Sequence, residues 1–388
     1  MTTVKGLRRS ALLVAAAGLL ISACSSATVT SDSPAPADSL TPPGLTSGTV
    51  MADALKRVTA SLEGKAGFTP PSQGPSAQHR AGTIAYIASD MTNGGTATVS
   101  QAVQEAAAVN GWHVTVFDGQ ATAQGRSDAL NQAIATRPMG IVLGGFNAAE
   151  QTFLIKRAVD LGIPVVGWHA ASEPGPIPGG DVFTNVTTDP LEVAWLATAF
   201  AVVDSQGTAG AVIFTDSQYQ VAVRKARAMQ DYLKLCSGCQ VLSYEDSPIA
   251  TVDTRLPSLV SSLLQQHGSK LTYLLAINGN YYGAAKLALQ KAGKPAVGPP
   301  KDIAAGDGDI AEFQRIRTGD YQTATIAEPL TLQGWQLVDE LNRALAGQKP
   351  SGFVPSPGLI TRQNVPSGTV FDPPSAYREI YRKVWSGQ

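Results

Sequence analysis

The scarcest reactive side chains in these 388 residues are three cysteines and four histidines, the latter at positions 79, 113, 169 and 267. The histidines stand in unrelated contexts, and none belongs to an H-E-x-x-H pair. A P-loop, a G-x-S-x-G elbow and a G-x-G-x-x-G after a strand are absent as well. Ser89, His169 and Asp307 have the residue types of a hydrolytic triad, but scattered types do not make one. No catalytic residues are therefore expected, and the chain reads as something other than an enzyme. Cys236 and Cys239 form a Cys-Ser-Gly-Cys string. Two cysteines do not build a zinc site, so no metal and no cofactor is expected. A redox-active pair wants its first thiol at a helix N-terminus, where the dipole stabilises thiolate. Here the string ends a helical pattern and leads into a strand at 240–244, which leaves a small structural disulfide or two idle thiols.

The third cysteine, Cys24, closes a different pattern. Lys5, Arg8 and Arg9 precede an apolar run from Ala11 to Ile21. That run is shorter than the roughly 20 residues that span a bilayer and has the flanks of a secretory signal. It ends in Leu20-Ile21-Ser22-Ala23-Cys24, which resembles the lipobox of bacterial lipoproteins. The resemblance implies cleavage before Cys24 and a lipid on its sulfur, placing the protein on the extracytoplasmic face of the membrane. Residues 1–23 are then the signal, and 24–49, rich in Ser, Thr, Pro, Ala and Gly, a tether unable to bury a core. Removing 23 residues leaves 365, enough for two lobes of ordinary size. With 29 basic and 30 acidic side chains, the charge is too balanced for a nucleic-acid partner. No second apolar run is long and charge-free enough for a membrane helix.

From residue 81 onward strand and helix patterns alternate. Strands are expected at 82–88, 113–117, 139–143 and 164–168, each followed or preceded by an amphipathic helix. After Asp189-Pro190, a helix-start signal, the pattern restarts with strands at 209–215, 240–244, 271–277 and 302–305. Such alternation means parallel sheets covered by helices. The expected class is α/β, with two doubly wound lobes, a cleft between them and a last segment that rejoins them. Lobe 1 takes 81–186 with 328–356, and lobe 2 takes 187–327 with 357–375. Residues 50–80 form a helix and a Pro-rich loop without assigned role, and 376–388 a C-terminal tail.

Ligands of such sheets bind outside the carboxyl ends of the strands, so polar residues there are the candidates. Asp307 accepts two hydroxyl hydrogens at once; its alternative role is a cap for a helix over 309–317. Asn278 offers a donor and an acceptor, or caps the helix before Tyr281. Trp168 presents an apolar face to a sugar ring, or packs in the core. His169 bonds a ligand in either tautomer, or is structural. Tyr281 and Tyr282 compete for one place facing the cleft.

The strings IAYIASDMTNGG, GIVLGGFN, GIPVVGWHA, YLLAINGNYYGAAKLALQKAG, IAAGDGDIAEFQ and YQTATIAEP, spread over residues 82–365, resemble the ribose-binding type of periplasmic binding protein. The resemblance implies two lobes joined by three crossing strands, a small solute such as a sugar or polyol held in the hinge cleft, and delivery by a monomer to an ABC permease. A sensor feeding a membrane signalling receptor has the same scaffold, as has a receptor for a small acidic or apolar metabolite. By position, Ser89, Asp90 and Asn93 match the polar loop after the first strand. Gly95 and Thr96 stand where ribose-type receptors stack phenylalanines, and Trp168-His169 replaces an Asp-Arg pair. Lys225, with Arg224 as the competing match, falls near an arginine of the family. Asn278 and Asp307 match its asparagine and aspartate, and Glu328 replaces an amide on a crossing strand.

Overall fold

The computed structural model describes residues 40–387 apart from 65–66, 79–80 and 180. The signal, Cys24 and most of the expected tether lie outside the described residues.

Lobe 1 is built on a parallel five-stranded sheet of order β2-β1-β3-β4-β5, comprising β1 (Gly82–Ala88), β2 (Trp112–Asp118), β3 (Gly140–Gly144), β4 (Val165–Trp168) and β5 (Asn185–Val186). Between them run α2 (Gly94–Val109), α3 (Ala123–Ala135) and α4 (Thr152–Asp160). The expected apolar face of α2 is the buried one, with Val99, Ala102, Val103, Ala106 and Ala107 turned inward. Gly111 follows with φ +72°, a left-handed turn that glycine adopts without penalty.

Lobe 2 carries a six-stranded sheet of order β11-β10-β9-β8-β6-β7. Its strands are β6 (Gly210–Thr215), β7 (Gln240–Asp246), β8 (Tyr273–Ala276), β9 (Lys301–Ala304), β10 (Ala324–Ala327) and β11 (Gly358–Thr361); only β11 runs antiparallel. Its helices are α5 (Pro190–Asp204), α6 (Gln220–Leu235), α7 (Val252–His267), α8 (Asn280–Lys291) and α9 (Ile310–Thr318). The Asp189 carboxylate accepts from Leu191 N at 2.9 Å, so the Asp-Pro signal does start α5. Cys236 and Cys239 are bonded to each other just beyond α6.

Three crossings lie at the hinge, at 187–189, 328–329 and 346–357, because α10 (Leu330–Leu345) packs on α2 and β4 of lobe 1 while β10 and β11 belong to lobe 2. Two further connections were not expected. The helix α1 (Val50–Leu62) lies on α5 and β11 of lobe 2, so 63–81 must return to lobe 1. Residues 376–388, expected as a tail, instead contain α11 (Tyr377–Ser386), which lies against α10. Its Tyr377, Tyr381, Val384 and Trp385 fall on one helical face and are buried. Trp385 stacks on Trp335 of α10 at 5.5 Å between ring centroids, and Arg382 stands 5.2 Å above the same indole. Pairs of this kind contribute about 1 kcal/mol each beyond area burial, which is why α10 is buried on every side from Leu330 to Arg343.

Candidate ligand-binding site

The carboxyl ends of β1, β3 and β4 in one lobe and of β6, β8 and β9 in the other meet across a cavity. Its walls include Ser89, Asn93, Thr96, Trp168 and His169 from lobe 1 and Tyr219, Lys225, Ile249, Asn278 and Asp307 from lobe 2. The space open to water-sized molecules is about 50 Å³, enough for roughly three to five waters. The lobes therefore stand close together.

Several of the polar wall residues are held from behind. Asn93 is the N-cap of α2, its side-chain oxygen accepting from Gly95 N and Thr96 N at 2.9 and 3.2 Å. Ser89 lies 3.5 Å from the Thr96 hydroxyl. Trp168 donates through Nε1 to Gln333 Oε1 at 2.8 Å, and its ring stacks on His169 at 4.1 Å. His169 adopts φ +50°, a left-handed conformation that turns its ring back onto the neighbouring indole. Asn278 accepts from Asn280 N at 3.2 Å, so it shapes the start of α8 and lines the cavity as well.

Glu328, on the hinge crossing, ties the two lobes' cationic candidates together. Its Oε1 accepts from Lys225 Nζ of lobe 2 at 3.0 Å, and its Oε2 lies 3.0 Å from His169 Nε2 of lobe 1. Because an ionised carboxylate only accepts, His169 Nε2 carries the hydrogen. Gln333 Nε2 donates to the same Oε2 at 3.2 Å and to the Thr188 hydroxyl. Burial pushes the Glu328 carboxyl up, but Lys225 and His169 more than offset this and hold it well below the usual carboxylate range. Asp307 differs. Burial raises its pKa, and the more distant Lys225 and His169 recover only part of the shift. Its carboxylate is 7 % exposed, makes no hydrogen bond among the described residues, and faces the cavity.

Several expectations are redirected by this geometry. Asp90 does not reach the cavity; its carboxylate accepts from Thr92 N and Oγ1 at the cleft mouth, beside Asp118 and Asp253. Tyr281 is fully buried, stacks on Phe214 and donates to Ser247 O at 2.8 Å, so it packs behind the site. Glu328 stands behind the wall, not on it. Between Lys225 and Arg224, the lysine faces the cavity, and Arg224 pairs with Glu173 of lobe 1 at 3.0 Å. The cap of α9 is Asp309, which accepts from Glu312 N at 2.8 Å, so Asp307 is free of that duty. Tyr219, Val221, Ala222, Ile249 and Ile277 were not foreseen as wall residues. Tyr219 follows a strand end, a position the strand-end rule does point to; the aliphatic residues look like core in any sequence.

Ser89 and His169 bond to Thr96 and Glu328 instead of to each other, so they form no nucleophile–base pair. His169, Asp307 and Glu328 bring donor atoms within 4.8 Å of one another, a set that suits a metal ion. The positive charge at that place is already supplied by Lys225, bonded to Glu328.

Residues 84–349 match the model of the periplasmic binding protein domain. The chain belongs to that family. The family is one of solute-binding proteins, which fits a cleft lined with hydrogen-bonding groups and no activated nucleophile. Among solved structures, the binding protein similar in fold includes the arabinose transporter component of Shewanella sp. ANA-3, bound to α- and β-L-arabinofuranose, at 17% identity and a TM-score of 0.63, covering 78% of this chain and 95% of that one. A glucose–galactose binding protein of Geobacillus stearothermophilus aligns at 17% identity and 0.65, covering 74% and 100%. A solute-binding protein of Agrobacterium vitis bound to α-D-tagatopyranose aligns at 17% and 0.65, covering 74% and 96%. No curated protein sequence matches the chain.

Proposed function

We propose that this protein captures a small polyhydroxylated solute, a sugar or polyol, between its lobes and delivers it to an ABC importer. The observation that carries the reading is Asp307, a nine-tenths buried carboxylate with no hydrogen-bond partner among the described residues, facing a cavity whose Asn93, Trp168, His169, Lys225 and Asn278 are each bonded within the protein. Such a group is costly unless a ligand donates to it. Lys225 beside it donates where Asp307 accepts, and a hydroxyl does both. The indole of Trp168 and the aliphatic side chains of Val221, Ile249 and Ile277 give the same ligand an apolar wall. Arabinofuranose and tagatopyranose in two proteins of like fold are ligands of this chemistry. In this reading the chain is exported, cleaved before Cys24 and held by lipid on the extracytoplasmic face as a monomer.

Thermal unfolding against a library of pentoses, hexoses, polyols and small acids tests it. A ligand at a hundredfold its dissociation constant stabilises the fold by about 2.7 kcal/mol, and Asp307→Ala should abolish that gain while leaving the ligand-free midpoint nearly unchanged. Stabilisation by acids alone, or by sugars equally in Asp307→Ala, would overturn the assignment.

A further inference from the structure

Nothing in the backbone of Gly94 and Gly95 calls for glycine. Both lie in the first turn of α2, and neither has a positive φ. Alanine would favour the helix there, because glycine loses more freedom on folding. The reason for two bare positions lies on the other lobe. A Cβ on Gly94 would strike Asp309 Oδ2 closer than real carbon atoms approach an oxygen, and one on Gly95 would lie 2.8 Å from Asp307 Oδ2. Asp309 cannot swing aside cheaply, since its Oδ1 holds the cap of α9 through Glu312 N. Both acids are at least nine-tenths buried, and Asp309 Oδ2 has no hydrogen-bond partner among the described residues.

We propose that Gly94 and Gly95 set how far the lobes close: they form a bare seat on lobe 1 where Asp309 and Asp307 of lobe 2 come to rest. The salt bridge from Arg224 to Glu173 spans the same gap at 3.0 Å, but it is half-exposed and weak. Steric fit at the glycines is the finer constraint, because a single methyl group there meets a carboxylate that is fixed on its far side. The seat also limits the space between the lobes to the small cavity described above, so the same two positions bound the size of what is enclosed. The inference rests on the two lobes and not on the identity of the solute.

Small-angle X-ray scattering of the full, ligand-free chain tests it, with wild type, Gly94→Ala, Gly94→Leu and the double variant Gly94→Ala/Asp309→Ser. All four carry the same N-terminal residues, so differences in scattering report the lobes. Gly94→Leu should enlarge the radius of gyration by on the order of 1 Å, against the roughly 20 Å of a compact chain of this size, and Gly94→Ala by less. Serine keeps the cap of α9 without the carboxylate, so the double variant should return to the wild-type curve. Wild-type scattering that fits only separated lobes would overturn the proposal. So would a cooperatively folded Gly94→Leu that scatters as wild type. Should Gly94→Leu not fold, the alanine variant and its serine partner decide: opening without rescue by Asp309→Ser, or no opening at all, overturns it equally.

Discussion

Glu328 and Asp302 are both sealed from solvent, yet their carboxyls are driven in opposite directions. Glu328 at the hinge has Lys225 and His169 within hydrogen-bond reach and is held well below the usual carboxylate range. Asp302, on β9 inside lobe 2, has no partner for either oxygen among the described residues, and burial pushes it well above that range. Its nearest cation, Arg315, is committed to Gln322 Oε1 and Gly279 O. Glu312 repeats the pattern of Asp302: fully buried, with one oxygen accepting from Gly308 N and the pKa raised by burial. Depth does not decide the charge of a buried acid here. For Glu328 its bonded partners Lys225 and His169 do, where the two lobes join; a bonded cation alone is not enough, since buried Asp339 accepts from Arg343 Nε at 2.7 Å and burial still raises its pKa.

The strongest way to break this contrast is to take the cation from Glu328. Lys225→Met should cost about 3–5 kcal/mol, the penalty for an orphaned buried charge, whereas Asp302→Asn should cost little at pH 5; urea unfolding of both variants compares them. Equal losses would mean that the ion pair has no special standing.

A second effect is read from pH. Asp302 and Glu312 have folded pKa values raised above their unfolded ones, so the folded state keeps protons that the unfolded chain releases. Their contribution is complete below the ordinary carboxylate values and is lost as pH rises toward the folded ones, by about 1.4 kcal/mol per pH unit for each group. Glu328, being lowered, works oppositely: its contribution is present above its ordinary value and lost as pH falls below it. Asp302→Asn with Glu312→Gln should therefore flatten the decline of stability as pH rises above the ordinary carboxylate values, followed as the unfolding midpoint in denaturant. An unchanged profile would place the protons elsewhere.

Asp307 sits between the two cases, with cations near but not bonded and its pKa raised. Affinity for a sugar found in the thermal screen should rise with pH through that raised value, by at most about tenfold per unit, as hydroxyls come to donate to an ionised carboxylate. Calorimetric titration from pH 4.5 to 7.5 checks it, and Asp307→Asn should lose the slope. The smallest effect belongs to the exposed pair: Arg224→Ala should change stability by less than about 1 kcal/mol, and a larger loss would make that bridge part of the lobe contact proper.

Much of this was legible in the chain. Helix and strand order follow from apolar periodicity and from caps such as Asp189, whose side chain acts within two residues. Strand ends pointed to Trp168, Asn278 and Asp307 because a doubly wound sheet places its loops at one rim, and the family resemblance added Asn93. The rule fixes the rim but not which way a side chain turns on the next helical residues, so Tyr281 and Asp90 were assigned to a cavity they do not reach. The two-residue β5 is too short to show a period. Gly95, read with Thr96 as a departure from the receptor pattern, and Gly94, not singled out at all, gave no sign of their role, since what excludes their side chains is more than 200 residues away on the facing lobe.

The return of α10 and α11 to lobe 1 has a consequence in time. On a ribosome the five strands of the first sheet emerge by Val186, but α10 begins only at Leu330 and α11 at Tyr377. Roughly 140 residues of the other lobe intervene, about 7–30 s of synthesis at 5–20 residues per second. Through that interval the face that α10 will cover is apolar and bare, and lobe 1, whose sheet is begun first, is completed last, after β11 of lobe 2. A nascent chain that remains unfinished for so long offers its bare apolar surface to chaperones.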